Sequence, residues 1–338
     1  MATESMKAYS ELTQAGRLRR LRGLAEAALA AYELKSPKID FYAFETNLLY
    51  RVRTGSGEQF MLRMASPGWR TFEDLRAEAL WLEALRRDTS IPAPRIVAAR
   101  SGEYVLPMES PGVAKVWNAS LMSWVPGRLL GKYLTEANLE KMGALFAALH
   151  EHGKAWKPPQ GFTLRRFEHW LSRGEANLIV GEAGAERLSG SLLELLERMH
   201  QRVEQAYAEL DRSDLRVIHC DLWHDNIKVH KGTLYPIDFE DTVWGFRAHD
   251  IAMAMLDLLE TVGEERYEVL LKAFRRGYTA EMDWPEDPIE AFQIGRLLWK
   301  VNWVARFRPQ QVVEMAEQHA PVFVHFEKTG QLMKPPAW

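Results

Sequence analysis

VIHCDLWHDNIKVHKGTLYPIDFEDTVWGFRAHD, from Val217 to Asp250, is the stretch that decides how this chain is read. His219, Asp221 and Asn226 stand in the order H-x-D-x-x-x-x-N, and Asp238 sits in an apolar I-D-F run one short hairpin later. Transfer of a phosphoryl group from ATP needs that set. One carboxylate, Asp221, faces an acceptor hydroxyl and takes its proton late in the reaction. An amide, Asn226, and a second carboxylate, Asp238, hold magnesium. The runs Ile227–His230 and Thr233–Ile237 pair through a turn at Lys231-Gly232. That pairing brings Asn226 and Asp238 to one end of the ribbon, within reach of one cation. His219 reads as structural, an imidazole that holds the loop backbone. Taken singly, each of these residues is as well explained as a turn former; the combination carries the reading. His224, Asp225 and His230 offer a hydrolytic metal cluster as the alternative, but they lack a tight ligand spacing.

Working outward, the first third of the chain reads as a mixed α+β unit. Helical periodicity covers 10–34 and stops before Pro37. Strand-like runs follow at Ile39–Phe44, Leu48–Arg53 and Gln59–Met64, with Thr54 to Glu58 as the hairpin turn. Thr71 caps a helix over Phe72–Arg87. Shorter strand signals lie at Arg95–Ala99, Tyr104–Pro107 and Leu121–Val125. Arg63, on the third strand, and Glu78, on the helix, supply the cation and acid that a kinase uses to hold phosphates. The loop between the first two strands, Ala43 to Asn47, contains no glycine. Phosphate contacts there would come from backbone N–H groups and from Thr46 or Asn47. Gly55 and Gly57 are turn residues, and Gly127 to Tyr133 has the wrong spacing for a P-loop.

Beyond Gly127 the pattern becomes mainly helical: Thr135–His152, Arg165–Leu178, Leu188–Leu210, Ala248–Val262, Glu264–Glu281, Pro288–Arg306 and Gln310–Lys328. Strand signals in this half are Arg216–His219 and the two runs of the ribbon. The expected organisation is a nucleotide-binding lobe over 1–122, a hinge at 123–127 and a helical lobe over 128–338 that ends in a loose tail from Lys334 to Trp338.

Composition narrows the class further. The chain has 338 residues, 47% of them hydrophobic, and a formal net charge of −3. That suffices for a sizeable core and leaves no like-charge block of the kind that binds nucleic acid. Cys220 is the only cysteine, so no intrachain disulfide framework is expected. No apolar run approaches a membrane span and the N-terminus lacks a signal-peptide core, so the expectation is a soluble, cytoplasmic protein without membrane partners. The oligomeric state stays open.

These residues resemble the aminoglycoside phosphotransferase and choline kinase-like family, small-molecule relatives of the protein kinases, over about 21–309. Asn47-Leu48-Leu49-Tyr50-Arg51-Val52 is similar to the family's N-x-x-Y-R-V segment. Met61-Leu62-Arg63-Met64 is similar to its V-L-R-I strand, with arginine where kinases usually carry lysine. Glu78, Trp81 and Leu82 match E-x-x-W-L. Ser123-Trp124-Val125-Pro126-Gly127 looks like the hinge, whose backbone would bind adenine. The resemblance implies a two-lobed protein kinase-like α+β fold, ATP and Mg2+ as cofactors, Asp221 as base, Asn226 and Asp238 as metal ligands, and Asp250 as a structural anchor. Departures are Cys220 where Gly or Ala is usual and Glu240 where Asp is common. Cys220 is read either as packing or as a point of oxidation sensitivity. Glu240 is read either as a contact behind the metal or as a substrate contact.

Asp250 follows Asp238 by only twelve positions, and no A-P-E motif follows. Protein kinases carry a longer peptide-docking segment there, so a small hydroxyl acceptor is favoured. Glu240, Asp241, Asp257 and Glu260 give an acidic mouth, and Trp244, Trp299 and Trp303 give aromatic walls, which suits an amine-bearing alcohol. The resemblance leaves aminoglycoside, choline or ethanolamine, homoserine and sugar-like acceptors open. A protein substrate of the bacterial stress-response kinase type and a catalytically weak nucleotide-binding scaffold are the alternatives.

Overall fold

The computed structural model describes residues 7–113, 115–172 and 174–336, so the last two residues of the expected tail, Ala337 and Trp338, lie outside the described residues. The chain divides into two compact units. One runs to Pro126 and regains Pro158–Thr163; the other comprises Gly127–Lys157 and the chain from Leu164 onward.

The first unit is an antiparallel sheet with a helix on either side of its sequence core. Its helices are α1 (Gln14–Leu29) and α2 (Phe72–Asp88). Its strands are β1 (Lys38–Phe44), β2 (Asn47–Arg53), β3 (Gln59–Ala65), β4 (Ile96–Val97), β5 (Val105–Met108) and β6 (Trp117–Ser123). The sheet order is β1-β2-β3-β6-β4, with β5 also paired to β6. β6 begins four residues before the expected Leu121, because Trp117 to Ser120 pair with β5. Leu48, Tyr50 and Val52 alternate along β2, and Phe60, Leu62 and Met64 along β3. Both sets enter one core with Leu21, Leu24, Ala25 and Ala28 of α1. Alternation then turns Arg63 to the opposite face of β3. α2 starts on a reciprocal cap: the Thr71 hydroxyl accepts from the Asp74 N–H, and the Asp74 carboxylate accepts from the Thr71 N–H, both at 3.1 Å.

The second unit contains β7 (Arg128–Leu129), α3 (Glu136–Ala155), α4 (Gly181–Ala185), α5 (Gly190–Ala208), β8 (Arg216–Ile218), β9 (Ile227–His230), β10 (Thr233–Pro236), β11 (Val243–Gly245), α6 (Arg247–Val262), α7 (Glu264–Thr279), α8 (Ile289–Phe307) and α9 (Val312–Thr329). α3 and α7 pack backbone to backbone. A Cβ at Gly143 would lie 1.9 Å from the Phe274 carbonyl oxygen, and one at Gly277 would lie 1.8 Å from that of Glu140. Leu196, Met199, Val203, Phe292, Leu298, Val301 and Phe323 form a continuous core among α5, α8 and α9.

Two expectations for this unit are corrected. The strand inventory was too short: β7 joins β9 to make a three-stranded ribbon, and β11 pairs with β8. Arg165–Leu178 was expected as a helix and is irregular. Its backbone is committed elsewhere. The Phe167 N–H donates to the Trp244 carbonyl at 2.7 Å, the Trp244 N–H to the Arg165 carbonyl at 2.9 Å, and the Leu178 N–H to Asn302 Oδ1 at 2.8 Å. Gly174 adopts a φ of 72°. These long-range partners replace the i to i−4 ladder. No described helix is long and apolar enough to cross a membrane.

Candidate active site

β8 leads into a loop tied down from three sides. Cys220 has a φ of 69°, a left-handed conformation unusual for a residue with a side chain. Its N–H donates to Asp250 Oδ1 at 2.7 Å. Asp250 stands in the first turn of α6, and its Oδ2 lies 3.0 Å from His150 Nε2. The other nitrogen of His150 lies 2.9 Å from the Tyr278 hydroxyl. Burial pushes the Asp250 carboxyl up. The hydrogen bond and charge of His150, with the Cys220 N–H, outweigh it and hold Asp250 below the usual carboxylate range. His219 Nε2 lies 3.0 Å from the Ile237 carbonyl oxygen. A carbonyl only accepts, so Nε2 carries the proton and Nδ1 accepts from the Asp221 N–H at 3.4 Å. His219 thereby links the loop to the end of β10.

Asp221 and Asn226 are joined directly. Asn226 Nδ2 donates to the Asp221 backbone carbonyl at 2.8 Å and to Asp221 Oδ2 at 2.9 Å. Spending both contacts on the amide nitrogen turns Asn226 Oδ1 away from Asp221 as an available acceptor. The Ile237 N–H donates to the Asn226 carbonyl at 2.9 Å, which sets Asn226 beside the residue preceding Asp238. Asp238 is itself left-handed, with φ and ψ of 63°. Two such residues cost roughly 1–3 kcal/mol each and persist where their surroundings fix them. The Asp221 carboxyl is raised well above its usual range, first by burial and then by the charge of Asp241; Arg296 opposes this, and Asp238 and Asp257 add to it.

This donor set fits magnesium. Among the described residues no group of three or more His, Cys, Asp and Glu is arranged to hold a metal ion, which includes the His224, Asp225 and His230 alternative. Magnesium does not need such a cage: it takes one or two protein oxygens and completes its shell with phosphate and water. Asn226 Oδ1 and the Asp238 carboxylate are hard oxygen ligands of that kind.

Beside Asp221 the second unit holds a small cavity, about 30 Å3. Its lining includes Asp241, Arg165, Phe167, Trp170, His249, Arg296 and Trp299. Of the residues expected at an acceptor pocket, Asp241 and Trp299 are brought to it. Glu240, Trp244 and Trp303 do not line it. Glu240 is buried in the turn after Asp238, Trp244 is in β11, and Trp303 packs on Phe307 at 4.9 Å. Glu260 is paired with Lys300 at 2.5 Å. Sequence reasoning missed Arg165, Phe167, Trp170, His249 and Arg296 as pocket residues. The first three lie on the segment read as a helix, and the last two are separated from Asp221 by 28 and 75 positions, beyond any local signal.

In the first unit, Arg63 and Glu78 form a forked pair. Nη1 donates to Oε1 at 3.1 Å and Nη2 to Oε2, and the side chains are 4% and 2% exposed. Thr46 is exposed in the β1–β2 turn, while Asn47 is buried as the first residue of β2. The Ser123 N–H donates to the Arg95 carbonyl at 2.8 Å and the Trp124 N–H to the Gln59 carbonyl at 3.0 Å. The Trp124 ring is flanked by Tyr42 at 5.4 Å and by the Arg51 guanidinium at 4.4 Å.

Residues 45–287, more than half of the chain, match the model of the Phosphotransferase enzyme family. The chain belongs to that family. This phosphotransferase is similar in structure to the microcompartment-associated aminopropanol kinase, at 22% identity over 92% of this chain and 99% of that one, with a TM-score of 0.73. An amicoumacin kinase in complex with AMP-PNP, Ca2+ and Ami matches at 16% identity over 96% and 98% of the two chains, with a TM-score of 0.75. The choline kinase from Cryptosporidium parvum Iowa II matches at 15% identity over 91% and 95%, with a TM-score of 0.60. No curated protein sequence matches this one. The phosphotransferase thus has the two-lobed protein kinase-like fold, with a small antiparallel sheet in one unit and helices dominating the other.

Proposed function

We propose that the enzyme moves the γ-phosphoryl group of ATP, with magnesium, to a hydroxyl of a small amine-bearing molecule. The observation that carries this reading is Asp221: a partly buried carboxylate oriented by Asn226 and opening on a cavity. In the proposed reaction the acceptor oxygen bonds to phosphorus as the bond to the departing ADP breaks. Asp221 Oδ takes the proton that the acceptor oxygen sheds. Asn226 keeps the carboxylate aimed, and Asp250 and His219 keep the loop in place. Arg63, fixed by Glu78, meets phosphate oxygens, with Thr46 and Asn47 as polar contacts and Ser123, Trp124 and Val125 beside the adenine. Magnesium, held by Asn226 and Asp238, would neutralise phosphate charge.

The cavity has room for little more than water-sized groups, so its lining, and not its volume, supports the reading. Asp241 in its wall gives an ammonium group a partner, and Trp299 gives it a ring face. A coupled ADP-release screen over amino alcohols, choline, aminoglycosides, sugars and generic protein substrates tests the reading. ADP release should depend on one class of alcohol and be abolished by EDTA. Thermal stabilisation by ATP with no release for any acceptor would mark a nucleotide-binding scaffold instead.

A further inference from the structure

The charged groups of the cavity are not all acidic. Asp221 and Asp241 share its wall with two guanidinium groups, Arg165 and Arg296. The acids have work in the proposed reaction, since Asp221 receives the proton and Asp241 offers charge to an ammonium group. In that reaction Arg296 touches no reacting group and only sets its charge against that of Asp221. Its guanidinium lies 4.3 Å over the Trp299 ring, and the indole N–H is in turn fixed on Glu175 Oε1 at 3.1 Å. Face stacking leaves the N–H donors of a guanidinium in its plane, where they match the two oxygens of a carboxylate. Among the described residues Arg296 makes no ion pair within 4 Å.

His249 is a second and independent observation on the same wall. It is 1% exposed, and its ring lies 3.7 Å from that of Phe167. Neither ring nitrogen has a hydrogen-bond partner among the protein groups. A buried polar ring without a partner is costly. Here it faces a cavity that also holds a guanidinium, so a polar ligand head would meet both. An acceptor carrying only an ammonium group would leave the Arg296 guanidinium without an ion-pair partner, and one carrying a carboxylate as well would supply it.

We propose that the acceptor is a hydroxylated amino acid, whose hydroxyl faces Asp221, whose ammonium group faces Asp241 and whose carboxylate is read by Arg296, with His249 completing the hydrogen bonds of the head group. This rests on the phosphotransfer reading above and narrows its acceptor. The step is balanced as before: the hydroxyl proton goes to Asp221, the acceptor oxygen–phosphorus bond forms, and ADP leaves with the electrons of the bond it loses.

Matched acceptors that differ only by the carboxylate provide the test: L-homoserine against 3-amino-1-propanol, and L-threonine against 1-amino-2-propanol. The wild-type enzyme should favour one carboxylated member over its partner by about 10- to 100-fold in kcat/KM, mostly through KM, as a charge-assisted fork predicts. Arg296→Gln should bring that ratio close to one, and Arg296→Lys, which keeps the charge without the fork, should leave it in between. Thermal melting establishes that each variant is folded. Equal or better turnover of the decarboxylated members by the wild type, or a ratio that Arg296→Gln leaves intact, overturns the inference while phosphotransfer stands. If no alcohol supports ADP release, the phosphotransfer reading fails, and calorimetric titration of the same pairs in the presence of AMP-PNP decides the acceptor site separately. A binding preference for the carboxylated member that is lost in Arg296→Gln supports it, and equal or absent binding overturns it.

Discussion

The two units handle clustered charge in opposite ways. Arg63 and Glu78 are buried as a closed pair, opposite in sign and joined by two hydrogen bonds. The partly buried Asp221 and Asp257, the buried Asp241 and the exposed Asp238 are gathered with the same sign, and burial with the charge of Asp241 pushes the Asp221 carboxyl up while Arg296 opposes it. The pair balances its own charge, whereas the acids outnumber the guanidinium set against them and gain from an added cation. The backbone follows the same division. The pair rests on a regular strand and a capped helix, but Cys220 and Asp238 both hold left-handed conformations that a side chain disfavours. One region therefore holds its charge in balance, and the other holds polar groups in an arrangement costly to the free protein.

Breaking the pair should give the largest loss of stability. Glu78→Gln leaves the Arg63 guanidinium buried with half its fork, and denaturant unfolding should show a loss of about 3–5 kcal/mol. A loss under 1 kcal/mol would mean that the pair is not desolvated as it stands here.

The cluster should respond in the other direction. Asp257 is raised to about 6 by burial, with Arg296 and Lys300 opposing and Glu260 adding to it. A carboxyl raised in the folded state favours the protonated form. Its contribution is fully present below about pH 4 and is lost as pH rises through about 6. Asp257→Asn should therefore be more stable than the wild type at pH 8, by about 2–3 kcal/mol at most, and equal to it near pH 4. Paired urea titrations at the two pH values check the sign.

The smallest effect sharpens the first unit. Thr71→Ala removes one half of the cap that starts α2 and should cost about 1 kcal/mol, well below the loss from Glu78→Gln on the same helix. Hydrogen exchange confined to the first turn of α2 would show that the cap acts locally.

How much of this was legible in the sequence follows the same line between local and long-range order. The hairpins of the first unit, the cap at Thr71 and most helices of the second are set by nearby residues, and periodicity reads them to within a few positions. The spacing of His219, Asp221, Asn226 and Asp238 spans one turn and one hairpin, so their neighbourhood is visible too. The cavity beside Asp221 is different. Arg165, Phe167 and Trp170 reach it because their segment pairs with β11, some 75 residues later. Its apolar residues fit a helical period, and the pattern does not say that its N–H groups are bonded elsewhere. Arg296 and His249 arrive on α8 and α6 through tertiary packing alone. The reaction was legible because its residues are close in sequence, and the acceptor was not because its residues are far apart.

The central claim, that the same-sign cluster exists for proton transfer and not for the fold, is tested most directly by measuring turnover and melting of Asp221→Asn on one preparation. The substitution removes the base and also removes a partly buried carboxyl that its surroundings disfavour in the charged form. The account predicts a kcat lower by about 10²–10⁴-fold, in the range expected for loss of a proton-transfer group, with a melting temperature equal to or above that of the wild type. Retained turnover, or a fall in melting temperature that alone explains lost activity, would contradict it.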